Sequence, residues 1–196
     1  MRALVLISVI VCSLSCKTSG NKNISDFKIL PTDTLDLEFS KYRTNILNLQ
    51  PIQKGVDSFE LRIWNFGSLY HELVILRYLN NSWISCTYSY EINGKNIVDS
   101  QTVLCHQINP QIAVSVVNYL TQDSVLEIPS QRAIPNFKDT TIYEGGCTYL
   151  LELATKDFYK VLLYNNPHVH LDNHNKQFVR LIKSLENKFK LIHRFE

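Results

Sequence analysis

The fold is decided by residues 58–106, which read SFELRIWNFGSLYHELVILRYLNNSWISCTYSYEINGKNIVDSQTVLCH. Apolar and charged residues alternate from Phe59 to Ile63, and a two-residue period is typical of a half-buried strand. Three further strands are predicted at residues 73–79, 83–90 and 97–106, separated by turn-forming residues. Together these segments predict an antiparallel meander.

Two cysteines lie on either side of the last predicted turn. Asn93-Gly94 is a strong hairpin signal because both residues accept positive φ. Cys86 and Cys105 then fall on the two arms, opposite or diagonal to each other, where their Cβ atoms are close enough for a disulfide. Direct opposition requires a turn centred near Lys95-Asn96, one residue past the Asn-Gly pair.

The remainder of the domain mixes helices and strands. A helix over 110–121 is predicted from Asn109-Pro110 and a 3.6-residue apolar period. Residues 126–137 look irregular, and two more strands follow. A carboxy-terminal helix is predicted from an apolar stripe. The members of the two helical stripes are Ile112, Val116, Tyr119 and Leu120 in the first helix, and Phe178, Ile182, Leu185 and Phe189 in the second. The expected strands are 147–154 and 158–164. The fold class is α+β: an antiparallel sheet of about six strands with two helices packed on one face.

The amino terminus resembles a secretory signal. Met1-Arg2 is positive, about ten aliphatic residues follow, and small residues precede Cys16. The apolar run is shorter than the ~20 residues of a transmembrane helix. Leu14-Ser15-Cys16 resembles a lipobox, although cleavage after Ser15 by the ordinary signal peptidase is an alternative. We therefore expect a signal peptide at 1–15, a lipidated Cys16 with a polar tether at 16–44 that includes a flexible spacer, and one α+β domain at 45–196, beginning with a short strand at 45–49.

Composition excludes some function classes. The chain has 196 residues, 45% of them hydrophobic, with a formal net charge of +2. Such a near-neutral charge does not indicate a nucleic-acid partner. Basic residues nevertheless collect near the carboxyl end, where Lys176, Arg180 and Lys183 share one side of the last helix. They form either an ordinary solvated helix face or a surface that contacts an anionic membrane.

One histidine cluster is a candidate metal site. In an extended segment His168 and His170 point the same way, and Asp172 could join them as a third ligand. The competing interpretation is structural, because Asp172 or Asn173 is well placed to cap the helix that follows. The sequence contains no G-x-S-x-G, H-E-x-x-H, P-loop or G-x-G-x-x-G motif. No cofactor is expected.

Four short segments together resemble a known group. They are residues 59–64 (FELRIW), 149–152 (YLLE), 164–167 (YNNP) and the closing amphipathic helix. They resemble the small uncharacterised secreted lipoproteins of Bacteroidota, over most of residues 58–190. That resemblance implies an α+β domain and carries over no catalytic residues. It also implies O-glycosylation at Asp-Ser/Thr motifs, whose candidate acceptors here are Thr34, Ser124 and Thr140.

These observations predict a protein of the cell envelope. It would be held at the outer membrane through its lipid and act as a non-enzymatic binding or accessory module, with a protein partner in the envelope as one possibility. The alternative is a small hydrolase or inhibitor-type domain with its site near the 126–146 loop, which is long enough to be functional. A cleft lined by converging polar groups would favour that alternative.

Overall fold

A computed structural model describes residues 33–67, 70–122, 125–137 and 146–187. These residues form one six-stranded antiparallel sheet in the order β4-β3-β2-β1-β5-β6, with three α-helices. The strands are β1 (Phe59–Phe66), β2 (His71–Leu79), β3 (Ser82–Ile92), β4 (Val98–Gln107), β5 (Thr148–Thr155) and β6 (Phe158–Asn165). The helices are α1 (Thr34–Ile46), α2 (Pro110–Gln122) and α3 (Asn173–Asn187). The α+β class and the six-stranded sheet are confirmed.

The sheet is covered on both faces because its strands alternate between two apolar clusters. In β1, Leu61 and Ile63 pack into the cluster that contains α2 and α3. Trp64 and Phe66 pack into the opposite cluster, beside α1. Two helices on one face were expected and are present. The third helix covers the face that was expected to be bare.

Helix α2 buries Val116 and Leu120 as predicted and differs from the predicted stripe in its first turn. Its buried residues are Ala113, Val116 and Leu120, whereas Ile112 is 43% exposed. The helix begins after Asn109, whose Oδ1 accepts a hydrogen bond from the amide of Gln111 at 2.8 Å. An alanine therefore takes the core position that the apolar pattern assigned to isoleucine.

Helix α1 corrects the predicted boundary between tether and domain. Residues 34–44 were expected in the tether and 45–49 in a strand, but Asp33 caps a helix that continues to Ile46. Its buried residues are Asp36, Ser40 and Thr44, at i, i+4 and i+8. A polar stripe gives no apolar period, so the helix was not predicted. The described domain thus begins at residue 33 at the latest.

The β3–β4 hairpin is fastened by a disulfide. Cys86 and Cys105 are directly opposite each other and are bonded, with their Cα atoms 4.1 Å apart. Glu91 pairs with Ser100 and Ile92 pairs with Val98, so Asp99 is a bulge. The turn is centred on Lys95, because the Asn93 amide donates to the Ile97 carbonyl, and the bulge supplies the remaining shift that sets the two cysteines opposite each other.

The two edges of the sheet differ. At β6, the Leu163 amide donates to Asp36 Oδ2 at 3.2 Å, and the Asn165 amide donates to Gln131 Oε1 at 2.8 Å. These side chains thus accept hydrogen bonds from backbone amides that a further strand would otherwise use. At the other edge, nine of the ten residues of β4 are exposed. Within the described residues, no helix is long and apolar enough to be a membrane span.

Candidate functional site

A groove runs along α3 at the end of the sheet where β1 finishes and β5 begins. Two adjoining cavities of about 520 and 830 Å³ form it. Both are lined by Pro167, His168, Val179 and Lys183. The smaller cavity reaches the strand ends, and the larger one follows the helix. A volume of this size accommodates a small ligand or part of a polymer.

The groove is electropositive. Lys176, Arg180 and Lys183 are exposed, lie at i, i+4 and i+7 of the helix, and line the larger cavity. His168 and His170 add two imidazoles to the same wall. The described residues that line the two cavities include no aspartate or glutamate. An anion in this groove would therefore meet cations without meeting a like charge.

Asp172 fixes the start of α3. Its Oδ1 accepts hydrogen bonds from the amides of His174 at 3.0 Å and Asn175 at 2.9 Å, and its Oδ2 accepts one from Asn175 Nδ2 at 2.6 Å. Burial alone would raise the pKa of Asp172, but these hydrogen bonds hold it below its usual value. The carboxylate thus caps the N-terminus of α3, the helix that carries the basic stripe.

The candidate metal ligands do not assemble into a metal site in the part of the chain that the structure describes. There, no group of three His, Cys, Asp or Glu side chains could hold an ion. His168 lies in a 3₁₀ turn over Pro167–Val169, so the extended alternation on which the prediction rested is lost. His170 packs against Phe137, with ring centroids 4.9 Å apart. Asp172 serves the cap.

The wall of the groove depends on one close contact. Asn166 has a φ of +44° and its side-chain Oδ1 accepts a hydrogen bond from the Cys147 amide at 2.7 Å. A Cβ added at Gly146 would collide with the Asn166 side chain. Glycine is therefore required where the chain enters β5. The sequence offered a turn signal here but not this contact.

Cys147 and His168 line the same cavity, as a thiol-dependent enzyme would require. The thiol, however, donates a hydrogen bond to Asn65 Oδ1, with Sγ and Oδ1 2.7 Å apart. An amide oxygen only accepts, so the thiol is the donor in this contact, whereas a nucleophile must be a thiolate. The arrangement supports binding better than covalent chemistry.

The alternative site near residues 126–146 is partly packed and partly exposed where it is described: Arg132, Ala133, Pro135 and Asn136 are exposed, and Gly146 lines the smaller cavity of the groove. Leu126 and Ile128 are buried in the core. Tyr164 donates a hydrogen bond to the Pro129 carbonyl at 2.8 Å, and Lys160 donates one to the Leu126 carbonyl. The cavities of the groove are not lined by residues 125–137. Residues 138–145 lie outside the described ranges.

A buried polar network lies beneath α1. Glu152, on β5, accepts hydrogen bonds from Ser40 Oγ at 2.6 Å, Tyr159 Oη at 2.9 Å and Trp64 Nε1 at 2.7 Å. Three donors thus converge on one carboxyl group. Burial, and then the negative charge of Glu152, raise the pKa of Tyr159. Gln53 Nε2 donates to Ser40 Oγ at 3.1 Å.

The same face holds an ion pair and a further titratable group with a shifted pKa. Arg62 Nε donates to Glu60 Oε1 at 2.7 Å. Burial raises the pKa of Asp36, against the effect of a hydrogen bond from Ser130. On the opposite face, burial lowers the pKa of Lys160 to about 8. Because these groups hold elements together and do not line a cleft, we assign them to stability.

Most of the remaining predicted sites lie outside the described residues. These are Cys16, Ser124 and Thr140. Thr34 is exposed in the first turn of α1, directly after the capping Asp33. Its hydroxyl is therefore accessible to a modifying enzyme.

No family model, curated protein or solved structure matches this chain. The chemistry of the groove is thus the evidence on which a function must rest.

Proposed function

We propose that this protein is a lipid-anchored lipoprotein of the bacterial envelope, held at the outer membrane, whose domain is a non-enzymatic binding module for an anionic ligand. The ligand would bind in the groove along α3. One observation carries this proposal: a concave surface is lined by a stripe of cationic side chains. No aspartate or glutamate is among the described residues that line it.

Spacing along the helix favours a ligand with several negative charges. Residues at i, i+4 and i+7 lie on one side of a helix and span about 10 Å at 1.5 Å per residue. A single small anion can contact only part of that length. A ligand with repeated or separated anionic groups, such as a lipid headgroup layer or an acidic polymer, would engage Lys176, Arg180 and Lys183 together.

The anchor is supported by the sequence. The positive start, the short apolar segment and Leu14-Ser15-Cys16 fit a cleaved signal followed by a lipidated cysteine. The described domain begins at Asp33, so residues 17–32 separate it from the proposed lipid. Acyl chains on Cys16 would keep the groove close to a membrane and raise the local concentration of envelope ligands.

The anchor is tested by cell fractionation. Cys16→Ala should move the protein from the membrane to the soluble fraction and abolish incorporation of a fatty-acid analogue. A wild-type protein that takes up no label, with a variant that stays in the membrane fraction, would contradict the anchor. That outcome would not contradict the proposal that the groove along α3 binds an anion.

The groove is tested by chromatography of the purified protein on immobilised dextran sulfate, a polymeric anion. The double variant Arg180→Glu/Lys183→Glu should elute at a clearly lower salt concentration than wild type. The matched control is Lys54→Glu/Lys95→Glu, which makes the same change in net charge at exposed sites away from the groove. Equal losses of retention in the two variants would show that net charge, and not the groove, governs binding.

A further inference from the structure

Among the buried polar atoms that have no hydrogen-bond partner in the described residues, three lie near one another on the α1 face. They are Arg43 Nε, His71 Nδ1 and Tyr90 Oη. Tyr90 is 2% exposed, so its hydroxyl cannot be satisfied by bulk water. Most buried polar groups in proteins are paired, and an unpaired one costs stability unless water or a ligand completes it.

Arg43 and His71 lie beside the Phe66 ring, and Tyr90 lies beside His71. The guanidinium carbon of Arg43 lies 4.5 Å from the centroid of the Phe66 ring. The His71 ring is 5.8 Å from the same ring and 5.3 Å from that of Tyr90. The charge of Arg43 acts on both His71 and Tyr90. Arg43, His71 and Tyr90 therefore belong to one cluster at the end of α1.

The cluster presents donors and a positive charge. Arg43 rests on aromatic faces and forms no salt bridge with a described residue. Burial, and then the charge of Arg43, lower the pKa of His71, so its ring is neutral at pH 7 and offers one N–H. A guanidinium, a phenol and an imidazole N–H are the groups that recognise carboxylate and phosphate oxygens.

The cluster comes near the surface beside Tyr42. The ring of Tyr42 lies 5.5 Å from the Arg43 guanidinium carbon and the residue is 40% exposed. We propose that Arg43, His71 and Tyr90 form a binding site for a small oxyanion, a carboxylate or phosphate group, separate from the groove along α3.

The first test is thermal unfolding of the purified protein in sodium phosphate, sodium acetate and sodium chloride at equal ionic strength. A ligand that binds only the folded state raises the melting temperature. Wild type should be stabilised by phosphate or acetate relative to chloride, and Arg43→Gln should lose that gain. The matched control is Lys54→Gln, at an exposed cation outside both the cluster and the groove, which should keep it.

The second variant guards against a folding defect in the first. Tyr90→Phe removes only an oxygen that has no partner, so its melting temperature in chloride should equal or exceed that of wild type. Its gain in phosphate or acetate should shrink, and its Kd by calorimetry should rise about tenfold, as for loss of one hydrogen bond to an anion. Four outcomes would each overturn the proposal: a gain that both variants retain, a gain lost in Lys54→Gln, no gain in wild type, or a Tyr90→Phe protein that is less stable in chloride.

Discussion

Replacing Ser40 with alanine should loosen α1 from the sheet. Ser40 Oγ donates to the buried Glu152 carboxylate at 2.6 Å and accepts from Gln53 Nε2 at 3.1 Å. A hydrogen bond to a charged group contributes about 1.5–3 kcal/mol, and the variant leaves both partners less satisfied. In a domain of this size each kcal/mol corresponds to roughly 2–4 °C, so the melting temperature should fall by about 3–12 °C.

Circular dichroism measures the melting temperature, and hydrogen exchange shows whether α1 is the part that loosens. Amides of α1 should lose protection before those of β1. The control is Ser115→Ala, since Ser115 is also helical but donates only to the Gln111 carbonyl on an exposed surface. If Ser40→Ala and Ser115→Ala melt within a degree of each other, the Glu152 network does not hold α1, and its stability has another source.

Three further outcomes follow from other parts of the fold. In the folded protein the pKa of Lys160 is lowered to about 8, whereas in the unfolded chain the lysine keeps its proton up to ~10.4. The free energy of unfolding, measured in urea, should therefore rise between pH 8 and 10 in wild type relative to Lys160→Met. If the free energies of the two proteins change in parallel over this range, the prediction is wrong. Among the three cysteines of the domain, only Cys147 should be alkylated in the denatured, unreduced protein, and a label on either of the other two in peptide mass mapping would exclude the bridge. Leu185→Ala should cost about 2–5 kcal/mol in urea unfolding, because it leaves a cavity in the core, whereas the exposed Lys183→Ala should cost little; equal effects would mean that α3 is not packed on the sheet.

The strands could be predicted because each has a local signature. The alternation in β1 and the turn at Asn93-Gly94 are properties of adjacent residues, and they specify the meander without information from distant parts of the chain. The carboxy-terminal helix could be predicted in the same way, since Phe178, Ile182 and Leu185 share an apolar stripe, and all three are buried. Phe189 lies outside the described residues.

What the sequence could not reveal depends on contacts between distant residues. The stripe of α1 looks like the surface of a solvated segment, and Ser40 is a core residue only because Glu152 lies 112 positions later in the chain. The groove is similar. Its basic residues were visible as one side of a helix, but their juxtaposition with Asn65 and Cys147 requires the sheet to bring β1 and β5 together.

The polar underside of α1 also has a consequence for the order in which the protein is made. Synthesis proceeds from the amino terminus, so α1 exists long before β5 and β6, on which it docks. A helix with an apolar stripe would be prone to aggregate before β5 and β6 are synthesised. Asp36, Ser40 and Thr44 can remain hydrated until their partners arrive. The helix then exchanges water for buried hydrogen bonds, and it can be the last piece to settle although it is the first to be synthesised.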